Sequence, residues 1–145
     1  MKIGIGADHG GYELKKIIKE HLVKNDIEVI DYGTDSDASV DYPDFGRAVA
    51  QAVVSEEVDR GIIICGTGIG ISIAANKVKG VRAALCTDSY MAQMSMEHNN
   101  ANVLALGARV LGEGLALDIV NTWINSKFQA GRHERRVNKI SEIEA

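Results

Sequence analysis

Residues 61–77 read GIIICGTGIGISIAANK. The uncharged, β-branched run Gly61 to Cys65 predicts a strand buried on both faces, and the glycines at 66, 68 and 70 predict a tight turn into a helix over Ile69 to Lys77. Strand, glycine turn and helix together make half of a parallel α/β unit, so this stretch decides the fold class.

Outward from it the same alternation repeats. Lys2 to Gly6, Glu28 to Tyr32, Val81 to Cys86 and Val103 to Leu106 read as further strands. Between the first two, Leu14, Ile17, Ile18 and Leu22 recur at helical spacing, with Lys15, Lys16, Lys19 and Glu20 filling the other face. Phe45 to Val54, Tyr90 to His98 and Leu115 to Phe128 predict the remaining helices. Crossovers between parallel strands are right-handed, so the expectation is a three-layer, Rossmann-like, doubly wound sheet of five parallel strands in order 2-1-3-4-5.

The chain has 145 residues, 46% of them hydrophobic, which suits one compact domain spanning 1–145 with an ordinary core. A net charge of -4 argues against a basic nucleic-acid surface, and the apolar content argues against disorder. The opening MKIGIGADHG lacks the apolar stretch of a secretory segment, and no apolar run approaches the roughly 20 residues of a membrane span. A cytoplasmic protein without nucleic-acid or membrane partners is expected. Cys65 and Cys86 show neither CxxC nor zinc-ligand spacing, so neither a disulfide framework nor a metal site is expected. The sole proline, Pro43, falls in SVDYPDFG and reads as part of a turn. The segment from about 130 to 145 is highly charged, with a thin stripe of Val137, Ile140 and Ile143. Such a stripe suits docking on a partner subunit.

In an open α/β sheet the ligand crevice lies beyond the carboxyl ends of the strands where strand order reverses, here between the first and third strands. Asp8 and His9 follow the first; Cys65, Gly66, Thr67, Gly68, Ile69 and Gly70 close the third. GTGIG lets backbone amides approach an anion at a helix N-terminus, although the same glycines would serve a plain tight turn. Cys65 reads either as a small buried hydrophobe or as a thiolate base favoured by those amides. Asp8 reads as a cap on the first helix beside a solvated His9, or as half of a sugar-binding pair. His98 reaches this region only if its helix turns back at its end. Arg109 follows the fifth strand, and Arg132 and Arg136, four apart on one helical face, could clamp a phosphate.

DHGG at 8–11, DYPDF at 41–45, ICGTGIGISIAANK at 64–77, EHNNAN at 97–102 and GRHERR at 131–136 together resemble the B-type ribose-5-phosphate isomerases and their galactose-6-phosphate isomerase relatives. The likeness runs nearly end to end. It implies a cofactor-free conversion of ribose 5-phosphate to ribulose 5-phosphate by a homodimer, or a tetramer of such dimers, with the site shared between subunits. Cys65 would be the base acting between C1 and C2, with Thr67 assisting and Gly66 to Gly70 stabilising the enediolate. His98 would open the sugar ring, Asp8, His9 and Asn99 would hold the substrate, and Arg109, Arg132 and Arg136 would grip the phosphate. Some relatives carry an acidic base just after the glycine turn; Ile71 stands there in this chain.

Allose 6-phosphate or galactose 6-phosphate are alternative substrates of the same chemistry. A dinucleotide-binding module is the different-class alternative, since Gly4 and Gly6 precede Asp31 by the distance of a ribose contact. His9 occupies the place of the third glycine, however, and Asp8 would repel a pyrophosphate. The third reading is a sugar-phosphate sensor, or a redox-responsive subunit that uses Cys65 as a switch.

Overall fold

The computed structural model describes residues 1–144. Strands β1 (Lys2–Ala7), β2 (Glu28–Asp31), β3 (Arg60–Cys65), β4 (Ala83–Leu85) and β5 (Val103–Gly107) alternate with helices α1 (Tyr12–Lys24), α2 (Tyr42–Val54), α3 (Ile69–Asn76), α4 (Ser89–Asn99) and α5 (Glu113–Asn125), and α6 (Arg132–Ile143) ends the chain. Every pairing in the sheet is parallel. Among the described residues no helix is long and apolar enough to cross a membrane.

The period-two alternation of side chains on β1 and β3 builds two cores. Ile3, Ile5, Ile62 and Ile64 face α1 and α5, packing with Ile18, Leu22, Ile119 and Trp123. Ile63 and Cys65 face the other way, packing with Val49, Val53, Ile71 and Ala75 of α2 and α3. On that side β1 and β3 carry glycines, and a Cβ at Gly61 would stand only 2.4 Å from Val49 Cγ1. The missing side chain lets α2 lie close on the sheet.

The strand order is β2-β1-β3-β5-β4, not the expected 2-1-3-4-5. Burial explains the exchange of the last two strands. VLALG of β5 is wholly buried and belongs inside the sheet, whereas the short, partly exposed AAL of β4 serves as an edge. The reversal between β1 and β3 stays where it was expected, and β5 now lies directly beside β3, with Cys65 opposite Gly107.

One local expectation also changes. Pro43 stands in the first turn of α2, where its missing N–H leaves no helical bond unmade, rather than in a turn. Helix α6 folds back on its own chain through buried His133 and Val137, while Ile140 and Ile143 remain exposed.

Candidate active site

Four chain segments converge at the carboxyl end of the sheet around a cleft of about 370 Å³ lined by Asp8, Tyr42, Cys65, Thr67, Gly70 and Arg109, among others. Each reaches it for a local reason. Asp8 leaves the end of β1 with its backbone amide donating to Ile64 O, and its buried carboxylate accepts the Gly11 amide at 3.1 Å. Asp8 thus braces the entry to α1 and also walls the cleft. His9 Nδ1 accepts the Val40 amide at 3.2 Å, which leaves the proton of the neutral ring on Nε2.

Cys65 ends β3 with its sulfur accepting the Gly68 amide at 3.1 Å. The thiol is 5% exposed, so it looks onto the cleft from the wall rather than standing in solvent. Gly68 adopts φ +78°, and a Cβ there would lie 2.5 Å from Leu85 Cδ1 and 2.8 Å from the Leu106 carbonyl carbon. Only glycine makes this turn without strain. It directs the chain into α3. Ile69 is exposed on the rim, and the Thr67 hydroxyl accepts its amide at 3.2 Å. Ile71 is completely buried and faces Gly46 of α2.

The exchange of β4 and β5 has a direct effect on the site. Because β5 adjoins β3, the chain after it pairs with the glycine loop, Ala108 and Arg109 donating their amides to the carbonyls of Cys65 and Gly66 at 2.9 Å each. The Arg109 guanidinium then lies over Gly66 and Gly10, 3.0 Å and 3.5 Å from where their Cβ atoms would stand. In the expected order a strand would have separated Arg109 from this loop.

Tyr42 was not among the residues singled out from the sequence. Its ring rests on Gly70, filling the place a Cβ would take, and closes one side of the cleft. The signal was present in DYPDF, where an Asp followed by a Pro two residues on marks a helix start and not a turn.

His98, Asn99, Arg132 and Arg136 are not in this cleft. Helix α4 runs antiparallel to the strands and does not turn back, so its end lies at the amino edge of the sheet, just before β5. There Asn100 turns the chain with φ 47°, and Arg82 pins the turn by donating to the carbonyls of Asn99 and Asn100. His98 stacks on His133 with ring centroids 4.1 Å apart and planes 8° from parallel. Burial, then the positive charge of His98, Arg132 and Arg136, holds the His133 imidazole below its ordinary range. The exposed Arg132 and Arg136 flank this stack on α6. One chain therefore places the residues singled out from the sequence in two groups at opposite ends of its sheet.

The other candidates resolve simply. Cys86 is buried with its thiol pushed up to about 11, chiefly by desolvation, as befits a core residue. Asp31, which a dinucleotide reading needs for a ribose contact, is held by Lys15 at 2.7 Å and Lys19 at 3.3 Å. Among the described residues no three His, Cys, Asp or Glu side chains gather as a metal-binding group.

Known proteins resemble this chain in both sequence and fold. The Ribose/Galactose Isomerase family model matches residues 3–140. The solved structure of Clostridium thermocellum ribose-5-phosphate isomerase B is 68% identical and superimposes with a TM-score of 0.99 over 99% of this chain and 97% of that one. Ribose-5-phosphate isomerase B of Escherichia coli K12 is 52% identical, covering 99% of this chain and 96% of its own. The crystal structure of the Mycoplasma genitalium ribose-5-phosphate isomerase B with bound ribulose-5-phosphate is 46% identical, with a TM-score of 0.94 over 99% and 95% of the two chains. A family model that spans almost the whole sequence, and relatives that match from end to end in both sequence and fold, make this chain a member of the ribose/galactose isomerase family.

Proposed function

We propose that the chain interconverts ribose 5-phosphate and ribulose 5-phosphate through an enediolate, with Cys65 as the base, and that it does so in the cytoplasm as a homodimer or a tetramer of such dimers. The observation that carries this reading is the Cys65 sulfur at the end of β3, facing the Gly68 amide in a cleft shared with Asp8, Thr67 and Arg109. The names of the matched relatives, and the ribulose-5-phosphate bound in one of them, support the choice of substrate.

The chemistry follows from the layout. Asp8, His9 and Asn99 hold the sugar hydroxyls, and Arg109, Arg132 and Arg136 take the phosphate in bidentate bonds. His98 protonates the ring oxygen while the anomeric hydroxyl loses its proton, which opens the ring to the aldehyde. The Cys65 thiolate removes the proton on C2, and the electron pair of that bond forms the C1–C2 double bond while the carbonyl electrons move onto O1. Amides of the loop Gly66 to Gly70 face the developing negative charge, each well-placed donor contributing roughly 3 kcal/mol. Cys65 returns its proton to C1, the O2 proton ends on O1 with Thr67 assisting, and the product is the ketose.

A second copy is needed because the two groups of residues lie at opposite ends of the sheet. An exposed apolar surface at the open edge of β4 supports such pairing: Tyr90 is 71% and Ile143 84% exposed, with Met91 and Ile140 nearby. Crevices of about 440 and 290 Å³ run along this edge, and both include Asn99 in their walls. Apolar surface of this kind beside an unpaired strand marks a docking face. Two free cysteines suit a reducing compartment.

The deciding experiment is a coupled assay of the purified protein on ribose 5-phosphate, allose 6-phosphate and galactose 6-phosphate. The highest kcat/KM is expected for ribose 5-phosphate. A preference for either hexose phosphate would move the chain to the other branch of the family, and no turnover of any of them would end the isomerase reading.

A further inference from the structure

Lys15 sits where an ammonium group is costly: on the face of α1 turned to the sheet, 2% exposed. Its Nζ donates to Asp31 Oδ1 at 2.7 Å and to the Thr34 carbonyl at 2.5 Å. Asp31 Oδ1 also accepts the Gly33 amide at 2.8 Å, and Lys19 reaches the other carboxylate oxygen at 3.3 Å. Burial opposes ionisation of Asp31, but the Lys15 and Gly33 hydrogen bonds outweigh it and hold the carboxyl below its ordinary range.

The segment so gripped runs beside the end of β1. Ala7 donates its amide to Gly33 O, and Thr34 donates to Ala7 O, both at 2.7 Å. Asp8 and His9 follow directly after β1. From Thr34 the chain loops outward through exposed residues 35–39 and returns at Val40, whose amide bonds His9, before Tyr42 lands on Gly70. Besides the backbone bond of Thr34 to Ala7, this loop has two side-chain tethers, Lys15 at Thr34 and His9 at Val40, and it delivers one wall of the cleft. A buried ion pair is a poor source of net stability, since apolar side chains of similar volume often serve as well. What an apolar side chain cannot supply is a donor for Thr34 O.

We infer that Lys15, acting through Asp31 and Thr34, is a positioning residue that fixes the 34–41 loop so that His9 and Tyr42 are seated at the sugar-phosphate cleft. This rests on reading the cleft as the isomerase site.

The test compares the full-length wild type with Lys15→Met and with Ile18→Val, a completely buried position on the same helix with no part in the loop network. Two quantities are read: the KM-against-kcat split for ribose 5-phosphate, and amide hydrogen exchange of the 33–42 peptide. Lys15→Met is expected to raise KM about tenfold while kcat moves less than about threefold, and to speed exchange in 33–42 about tenfold. Ile18→Val should move neither. If Lys15→Met does not fold, Asp31→Asn, which keeps an acceptor but removes the charge, should shift both quantities in the same direction by less. Unchanged KM and exchange in a folded variant, or equal shifts in Ile18→Val, would overturn the inference. A wild type that turns over no sugar phosphate defeats the isomerase reading instead, and exchange in the same three proteins still decides whether Lys15 tethers the loop.

Discussion

The Gly68 amide donates to the Cys65 sulfur across 3.1 Å, so the turn that starts α3 also presents a hydrogen-bond donor to the thiol. On the proposed mechanism this sulfur, as thiolate, accepts the carbon-bound proton. Cys65→Ala removes the proposed base and leaves the amides in place. Its kcat is expected to fall by about 10³ or more with the fold intact by circular dichroism, since general-base catalysis contributes up to about 10⁴. Turnover within tenfold of wild type would remove Cys65 from the mechanism.

Gly68→Ala tests the turn itself. Its φ of +78° strains any side-chain-bearing residue, and the new Cβ would meet Leu85 and the Leu106 backbone at 2.5 and 2.8 Å. The conformational strain costs about 1–2 kcal/mol and overpacking about 1–3 kcal/mol more, so denaturant titration should show about 3 kcal/mol of lost stability. Because a clash with the β5 backbone is not relieved by turning a side chain, the strand itself should shift beside Arg109, and KM should rise as well.

Much of this could be read from residue order. The β1 and β3 runs, the α1 spacing of Leu14, Ile18 and Leu22, and the grouping of Asp8 with the loop after Cys65 all rest on periodicity or on the switch-point rule, which are local or topological facts. The place of β5 depends on which of two apolar runs is buried more deeply, a comparison between segments that neither segment states alone. Tyr42 was hidden by reading Pro43 as a turn former when it opens a helix. The remoteness of His98 was readable: in a strand-helix-strand unit the helix must return to the amino edge, and α4 does. Its stacking partner His133 comes from a segment with no fixed relation to α4 in sequence, so no spacing could announce it.

The stacked pair His98 and His133 predicts a pH dependence. In the folded chain the His133 imidazole titrates below its ordinary value of 6.5, so the native state resists protonation there more than the unfolded chain does. The unfolded state then binds more protons, and the contribution of this site is full above about pH 6.5 and is lost as pH falls through the lower folded value. Thermal unfolding should show Tm falling between pH 7 and 5. Replacing His133 with Gln, which keeps a planar polar group without titrating in this range, should flatten that slope. An equal slope in the variant would mean that other groups set it.

The separation of Cys65 from His98 gives the most discriminating prediction. Cys65 ends β3 at the carboxyl edge, and His98 ends α4 at the amino edge, so a chain cannot bring its own two groups together without unfolding. If the site is shared between two chains as proposed, Cys65→Ala and His98→Ala should each be nearly inactive alone. When the two are mixed and allowed to exchange subunits, a mixed dimer has one site that combines both lesions and one that combines the intact Cys65 of one chain with the intact His98 of the other. Random exchange at equal concentrations makes half of the dimers mixed, each with one of its two sites whole, so activity should recover to about a quarter of wild type. Recovery should follow the rate of subunit exchange, measured in parallel with differently tagged chains, and should fade on dilution below the dimer dissociation constant. A site confined to one chain recovers nothing on mixing, because every chain in the mixture carries one of the lesions.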